Sequence, residues 1–179
     1  MINKILVAID NSDTHQTVFN HAVALAKATK ASMILLHILS TEDLDYPILP
    51  TYVYYSVLKD SDGDVFRQKY TEYETRNLDF LQDLTQQAIV QGVNTEFTQS
   101  SGNPGWEICQ LASNCSADLI VVGSRGLKGL KEMFLGSVSN YVMHHAPCSV
   151  LIVRQPIDSE SDQSSTDEID KSELLTSNS

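Results

Sequence analysis

The stretch Ala117-Asp118-Leu119-Ile120-Val121-Val122-Gly123-Ser124-Arg125-Gly126 decides the fold, together with Gly136-Ser137-Val138-Ser139. Four apolar positions in a row, Leu119 to Val122, read as a strand buried on both faces. The glycines that follow end it, and nine residues later Gly136-Ser137 opens a helical pattern that runs to about His145. Pro147 stops that helix, and Cys148-Ser149-Val150-Leu151-Ile152-Val153 reads as a further buried strand.

Upstream, the same alternation repeats. Lys4-Ile5-Leu6-Val7-Ala8-Ile9 is a short apolar run that meets a polar turn at Asp10-Asn11-Ser12-Asp13. Val18, Ala22, Leu25 and Ala26 have helical spacing, and Ser12 or Asp13 is positioned to cap a helix from about Thr14 to Thr29. Ser32 to Leu39 is a second apolar strand. Thr41 to about Gly63 is acidic and tyrosine-rich, with Pro47 and Pro50, and reads as a long surface loop of the kind that often carries function. A helix is expected over Val65–Gln91, with Tyr70, Tyr73, Leu78, Leu81, Leu84 and Ala88 on its buried face. Gly92 ends it, Val93 to Gln99 alternates like a half-buried strand, and Pro104 opens a helix running to about Cys115.

Strands alternating with helices imply right-handed crossovers and one parallel sheet covered on both faces. The expectation is an α/β domain: a single open five-stranded parallel sheet of order 3-2-1-4-5, Rossmann-like. Ligands in such sheets bind beyond the carboxyl ends of the strands where the order reverses. That point lies between the first and fourth strands, where loops begin at Asp10 and Gly123.

The glycine loop suits an anion. Glycine admits close backbone approach and positive φ. The unpaired N–H groups and dipole of the helix opening at Ser137 favour negative charge. Ser137 and Ser139 add hydroxyls, and Arg125, Lys128 and Lys131 oppose a single acid, Glu132. The spacing is neither G-x-G-x-x-G nor G-x-x-x-x-G-K-[ST], which excludes the dinucleotide fingerprint and the P-loop. The residues alone leave two readings open: phosphate binding, or a turn whose glycines serve tight packing.

The spacing Gly-x2-Gly-x9-Gly-Ser, at Gly123, Gly126, Gly136 and Ser137, resembles the ATP-binding signature of the nucleotide-binding branch of the universal stress proteins. The Ile5–Asp10, Ala117–Gly123 and Pro147–Val153 stretches resemble that family too, and the likeness covers Lys4 to Arg154. It implies an adenine nucleotide alpha hydrolase-like fold holding ATP with Mg or Mn. Ala8 and Asp10 would lie at the adenosine end, Ile38 in the base pocket, and Val122 and Gly123 by the ribose. Arg125, Gly126, Gly136, Ser137, Val138 and Ser139 would surround the phosphates, with Ser139 meeting the metal through them. The likeness also implies a regulatory role in stress response and a homodimer built on the last strand. Asn11 stands where many relatives carry glycine, and asparagine tolerates unusual turns.

Alternatives on the same fold are a slow ATPase, a phosphoryl or adenylyl transferase, and a sensor of AMP or a cyclic nucleotide. No hydrolase motif and no evident water-activating base accompany the loop, so no catalytic residue is named and occupancy is favoured over turnover.

The net charge of −11 argues against nucleic-acid or anionic-membrane partners. Residues 155–179 hold seven acids and one base, and read as a disordered, serine-rich tail appended to a domain over residues 1–154. No apolar run approaches the ~20 residues of a membrane span, and the first residues lack the pattern of a signal peptide. A cytoplasmic location is therefore expected. Cys109, Cys115 and Cys148 lack a CxxC pair and read as reduced, buried thiols. His144 and His145 are adjacent and so diverge on a helix, while His37 falls in a strand as a core or crevice histidine. Trp106 is expected to pack at a helix start.

Overall fold

The computed structural model describes residues 1–41, 43, 45–47, 60–124 and 135–154, with side chains from residue 63 onward in the long helix. Its elements run β1 (Lys4–Ala8), α1 (His15–Thr29), β2 (Ser32–Leu39), α2 (Asp60–Val90), β3 (Thr95–Ser101), α3 (Pro104–Asn114), β4 (Leu119–Gly123), α4 (Ser137–His145) and β5 (Ser149–Val153). The five strands form one parallel sheet of order β3-β2-β1-β4-β5. The expected architecture is the one observed.

Two apolar layers sandwich the sheet. On one face Ile5, Val7, Met33, Leu35 and Val121 meet Val18, Phe19 and Ala22 of α1 and Leu81, Leu84 and Ala88 of α2. On the other, Leu6, Leu36 and Ile120 meet Ile108 and Ala112 of α3 and Val142 of α4. Alternate residues of each central strand serve opposite layers, which is why these strands read as unbroken apolar runs. Phe19 is fully buried, and its truncation to alanine would cost about 3–5 kcal/mol.

Several boundaries differ from expectation. α2 starts at Asp60 rather than Val65, and β3 spans Thr95–Ser101 rather than residues 93–99. α1 has its N-cap at Thr14 with no side-chain cap bond. Ser12 instead donates, from both backbone and hydroxyl, to Asp10 Oδ1, so the carboxylate closes an Asx turn in place of a helix cap. On α2, Leu78 is 41% exposed while its neighbour Asn77 is fully buried. The helical phase, anchored by Tyr73, Leu81, Leu84 and Ala88, puts position 77 on the inner stripe. Trp106 is half exposed at the start of α3; there Asn103 Oδ1 accepts from its backbone N–H.

At the amino ends of the strands, Asp118 joins β1 to β4. Its Oδ2 accepts from Asn3 N at 2.7 Å and Lys4 N at 3.0 Å. β5 forms a sheet edge with Leu151 partly exposed. The expected tail, residues 155–179, and most of the Thr41–Gly63 loop lie outside the described residues. No helix among the described residues is long and apolar enough to cross a membrane.

Candidate functional site

The carboxyl ends of β1, β2 and β4 and the N-terminus of α4 enclose a crevice of ≈ 350 Å³, within the usual range for small-molecule sites. Ala8 and Asp10 enter from β1, Ile38 from β2, and Val122 and Gly123 from β4. Gly136, Ser137, Val138 and Ser139 close the far side. The structure thus brings together nine of the residues singled out in the sequence. Arg125 and Gly126, with Lys128, Lys131 and Glu132, lie outside the described residues.

The site divides by chemistry. On the α4 side, Gly136 is the N-cap and supplies no side-chain cap, so the first N–H groups of the helix remain available to an anion. Ser137 is exposed at the first helical position. Ser139 is buried, and its hydroxyl donates to the Gly136 carbonyl at 3.0 Å. That bond holds the helix opening together and engages the hydroxyl proton, leaving the oxygen lone pairs as its remaining function.

Gly123 serves packing. A Cβ there would stand 3.1 Å from Val18 Cγ2 and 3.6 Å from Thr14 Oγ1. Among the described residues, positive φ occurs in glycine only at Gly92 and Gly102. The glycine that leaves β4 therefore lets α1 approach the strand end, and left-handed geometry is not its purpose.

On the β2 side, the wall extends past Ile38 to Ser40 and Asp43. Asp43 Oδ2 accepts from Ser40 N at 3.2 Å and from the Tyr73 hydroxyl of α2. Burial and the Asp43 hydrogen bond push the Tyr73 phenol well above its ordinary range. His37 is buried at the same end. Desolvation lowers its pKa, against the opposing pull of Asp43 and Asp10, so the ring is neutral at pH 7. Its Nδ1 and the Oε1 of Gln99, its partner in register on β3, are both buried without a hydrogen bond among the described residues.

Sequence reasoning missed Thr14, His15, Ser40, Asp43 and Pro104 as crevice residues. The proline marked a helix start, and that start is also a wall. Asp43 sat in the acidic, tyrosine-rich segment that read as a long surface loop, with nothing to single it out there. Among the described residues, no three His, Cys, Asp or Glu side chains converge to hold a metal directly. Any cation here would be held mainly by phosphate oxygens, with serine hydroxyl support.

The universal stress protein family model matches residues 1–154. The chain belongs to the universal stress protein family. A universal stress protein of Synechocystis is 38% identical over 151 residues, covering 84% of this chain and 97% of the relative. One of Bacillus subtilis is 39% identical over 154 residues, covering 86% and 100%. Among solved structures, a universal stress protein from Lactobacillus plantarum superposes with a TM-score of 0.66 at 24% identity, covering 86% of this chain and 98% of that one. Two more distant members of the fold were solved with nucleotides. One is in complex with cAMP, at TM-score 0.55 and 24% identity over 85% of this chain and 97% of that one. The other, from Arabidopsis thaliana, has AMP bound, at TM-score 0.58 and 21% identity over 90% and 97%.

Proposed function

We propose that this universal stress protein binds ATP, with Mg or Mn on the phosphates, and acts through occupancy of the crevice as a regulatory protein of stress response. The observation that carries this reading is the division of one crevice into an apolar half at Ala8, Ile38 and Val122 and an anion-binding half at the N-terminus of α4. The first suits a purine base and the second its phosphates. The metal is assigned to the phosphate end, beside Ser137 and the Ser139 oxygen. Adenine draws support from the signature Gly123, Gly126, Gly136, Ser137 and from the AMP and cAMP found in proteins of this fold.

Those two ligands favour a second reading, a sensor of AMP or a cyclic nucleotide, in which one phosphate occupies the α4 terminus. Turnover is not favoured, because no hydrolase motif and no evident water-activating base accompany the glycine loop in the sequence. The reading includes a homodimer paired through the β5 edge, whose Leu151 is partly exposed.

Calorimetric titration with ATP, AMP and cAMP, with and without magnesium, tests the proposal. ATP should bind more tightly than the other two, and more tightly with magnesium. Replacing Gly136 by leucine should abolish binding by filling the phosphate end. Equal affinity of wild type and Gly136→Leu for ATP would refute the assignment.

A further inference from the structure

Adjacent strands in a sheet lie about 4.8 Å apart, so the ends of β4 and β2 are separated by about 10 Å across β1. A nucleotide with its phosphates on the N-terminus of α4, beside β4, therefore lays its base over the end of β2. The residues waiting there are Ile38, Ser40 and Asp43. Ile38 offers apolar surface to the flat of a ring. Asp43 offers an acceptor at its edge.

That acceptor is fixed in place. Ser40 N–H and the Tyr73 hydroxyl both donate to Asp43 Oδ2, one from the strand's own continuation and one from α2. Asp43 N–H in turn donates to the Ser40 carbonyl at 3.0 Å, closing a short turn. Two donors on one oxygen set the plane of the carboxylate and leave Oδ1 unengaged by the described residues. Tyr73 is buried, so the hydroxyl cannot leave without opening the contact between α2 and the sheet.

We infer that Asp43, oriented by Tyr73, is the residue that selects the base, accepting a hydrogen bond from the exocyclic 6-amino group of adenine. This rests on the nucleotide reading above. Hypoxanthine and guanine carry a carbonyl at the same ring position, where it would face the carboxylate acceptor to acceptor. A purine with hydrogen there would neither donate nor repel. A hydrogen bond to a charged acceptor is worth enough to separate the amino and hydrogen forms by about tenfold or more. Tyr73 is a positioning residue, which acts through the carboxylate.

The test is calorimetric titration of the full chain with ATP, ITP, GTP and the purine ribonucleoside triphosphate bearing hydrogen at C6. The expected order is ATP tightest, the C6-hydrogen nucleotide about tenfold weaker, ITP and GTP weaker still. Asp43→Asn, whose amide can donate to a carbonyl, should bring ATP and ITP to similar affinity. Tyr73→Phe should narrow the ratio part of the way, with the loss confined to discrimination between bases. ATP and ITP bound equally by wild type would overturn the assignment of Asp43 and leave the nucleotide site standing. GTP or ITP bound more tightly than ATP would overturn it too, because the base would then present its ring N–H to the carboxylate. Wild type binding none of the four would overturn the nucleotide reading and this inference together. The wild-type comparison needs no substitution, so it decides the matter even if a variant fails to fold.

Discussion

Asn77 sits one helical turn beyond Tyr73 on α2 and donates from Nδ2 to the Tyr73 carbonyl at 2.8 Å. The same amide accepts, at Oδ1, from Asn11 in the loop after β1. Tyr73 meanwhile holds Asp43 in the loop after β2. Two successive turns of one helix thus tie down both loops that wall the crevice on the β1 and β2 side.

Replacing Asn77 by alanine removes both bonds and leaves the Asn11 amide without its partner. Because Asn77 is fully buried, the expected cost is about 1–3 kcal/mol. Urea unfolding should show a lower midpoint with an unchanged slope. A midpoint equal to wild type would mean that the network contributes nothing to stability.

Gly105 lies against Tyr141, where α3 meets α4. A Cβ there would stand 2.7 Å from Tyr141 Cδ1 and 3.0 Å from Tyr141 Cβ. Rotation of the ring can relieve the first clash but not the 2.8 Å approach to Tyr141 Cγ, which stays on the rotation axis. Gly105→Ala should therefore destabilise by about 1–3 kcal/mol. The double variant with Tyr141→Ala should lose less than the sum of the two single losses, since trimming the ring removes most of the conflict. Additive losses in a thermal-melt cycle would contradict this.

Acid should act at two separate points. His37 has a folded-state pKa below its ordinary value of about 6.5. The unfolded chain then binds the proton first, so stability is complete above pH 6.5 and falls as pH drops from there toward the folded pKa. Asp118 is also depressed, because the Asn3 and Lys4 N–H groups donate to its charged form. Its contribution is present above about 3.9 and is lost as pH falls through its folded value. Asp118→Asn should flatten the lower limb of a urea-midpoint profile against pH and leave the upper limb in place. A profile flat between pH 6.5 and 5 would rule out a neutral, buried His37.

Leu151→Lys places a charge on the exposed side of the β5 edge. If two copies pair there, sedimentation should show a dimer for wild type and a monomer for the variant, with unchanged circular dichroism. A dimer that survives the substitution would move the interface elsewhere.

The strand order was legible because each central strand faces two apolar layers and cannot hide that in its composition. Leu119–Val122 is the plainest case. The crevice was legible from topology, which sends Asp10 and Gly123 to the same edge. Asn77 was missed, yet it left a trace: a polar residue four before Leu81, in phase with the apolar stripe of Tyr73, Leu81, Leu84 and Ala88. Asp43 left none. Its importance comes from Tyr73, 30 residues away, and only the packing of α2 on the sheet makes them neighbours. Gly123 was read both for backbone freedom and for tight packing, and Val18 gives the second reading its partner. A packing partner in another helix has no local signature.

The register Leu6↔Ile120 pairs the middle of the first strand with a residue 114 positions later. During synthesis β1 emerges first and can zip against β2 soon after, but its other edge has no partner until β4 is made. Closing so long a loop is entropically costly and slows folding. The nascent chain must therefore carry an open, apolar β1 edge through most of its translation. Assembly of the sheet's centre thus waits for β4, and only α4, which closes the ligand cleft, and the edge strand β5 are added after it.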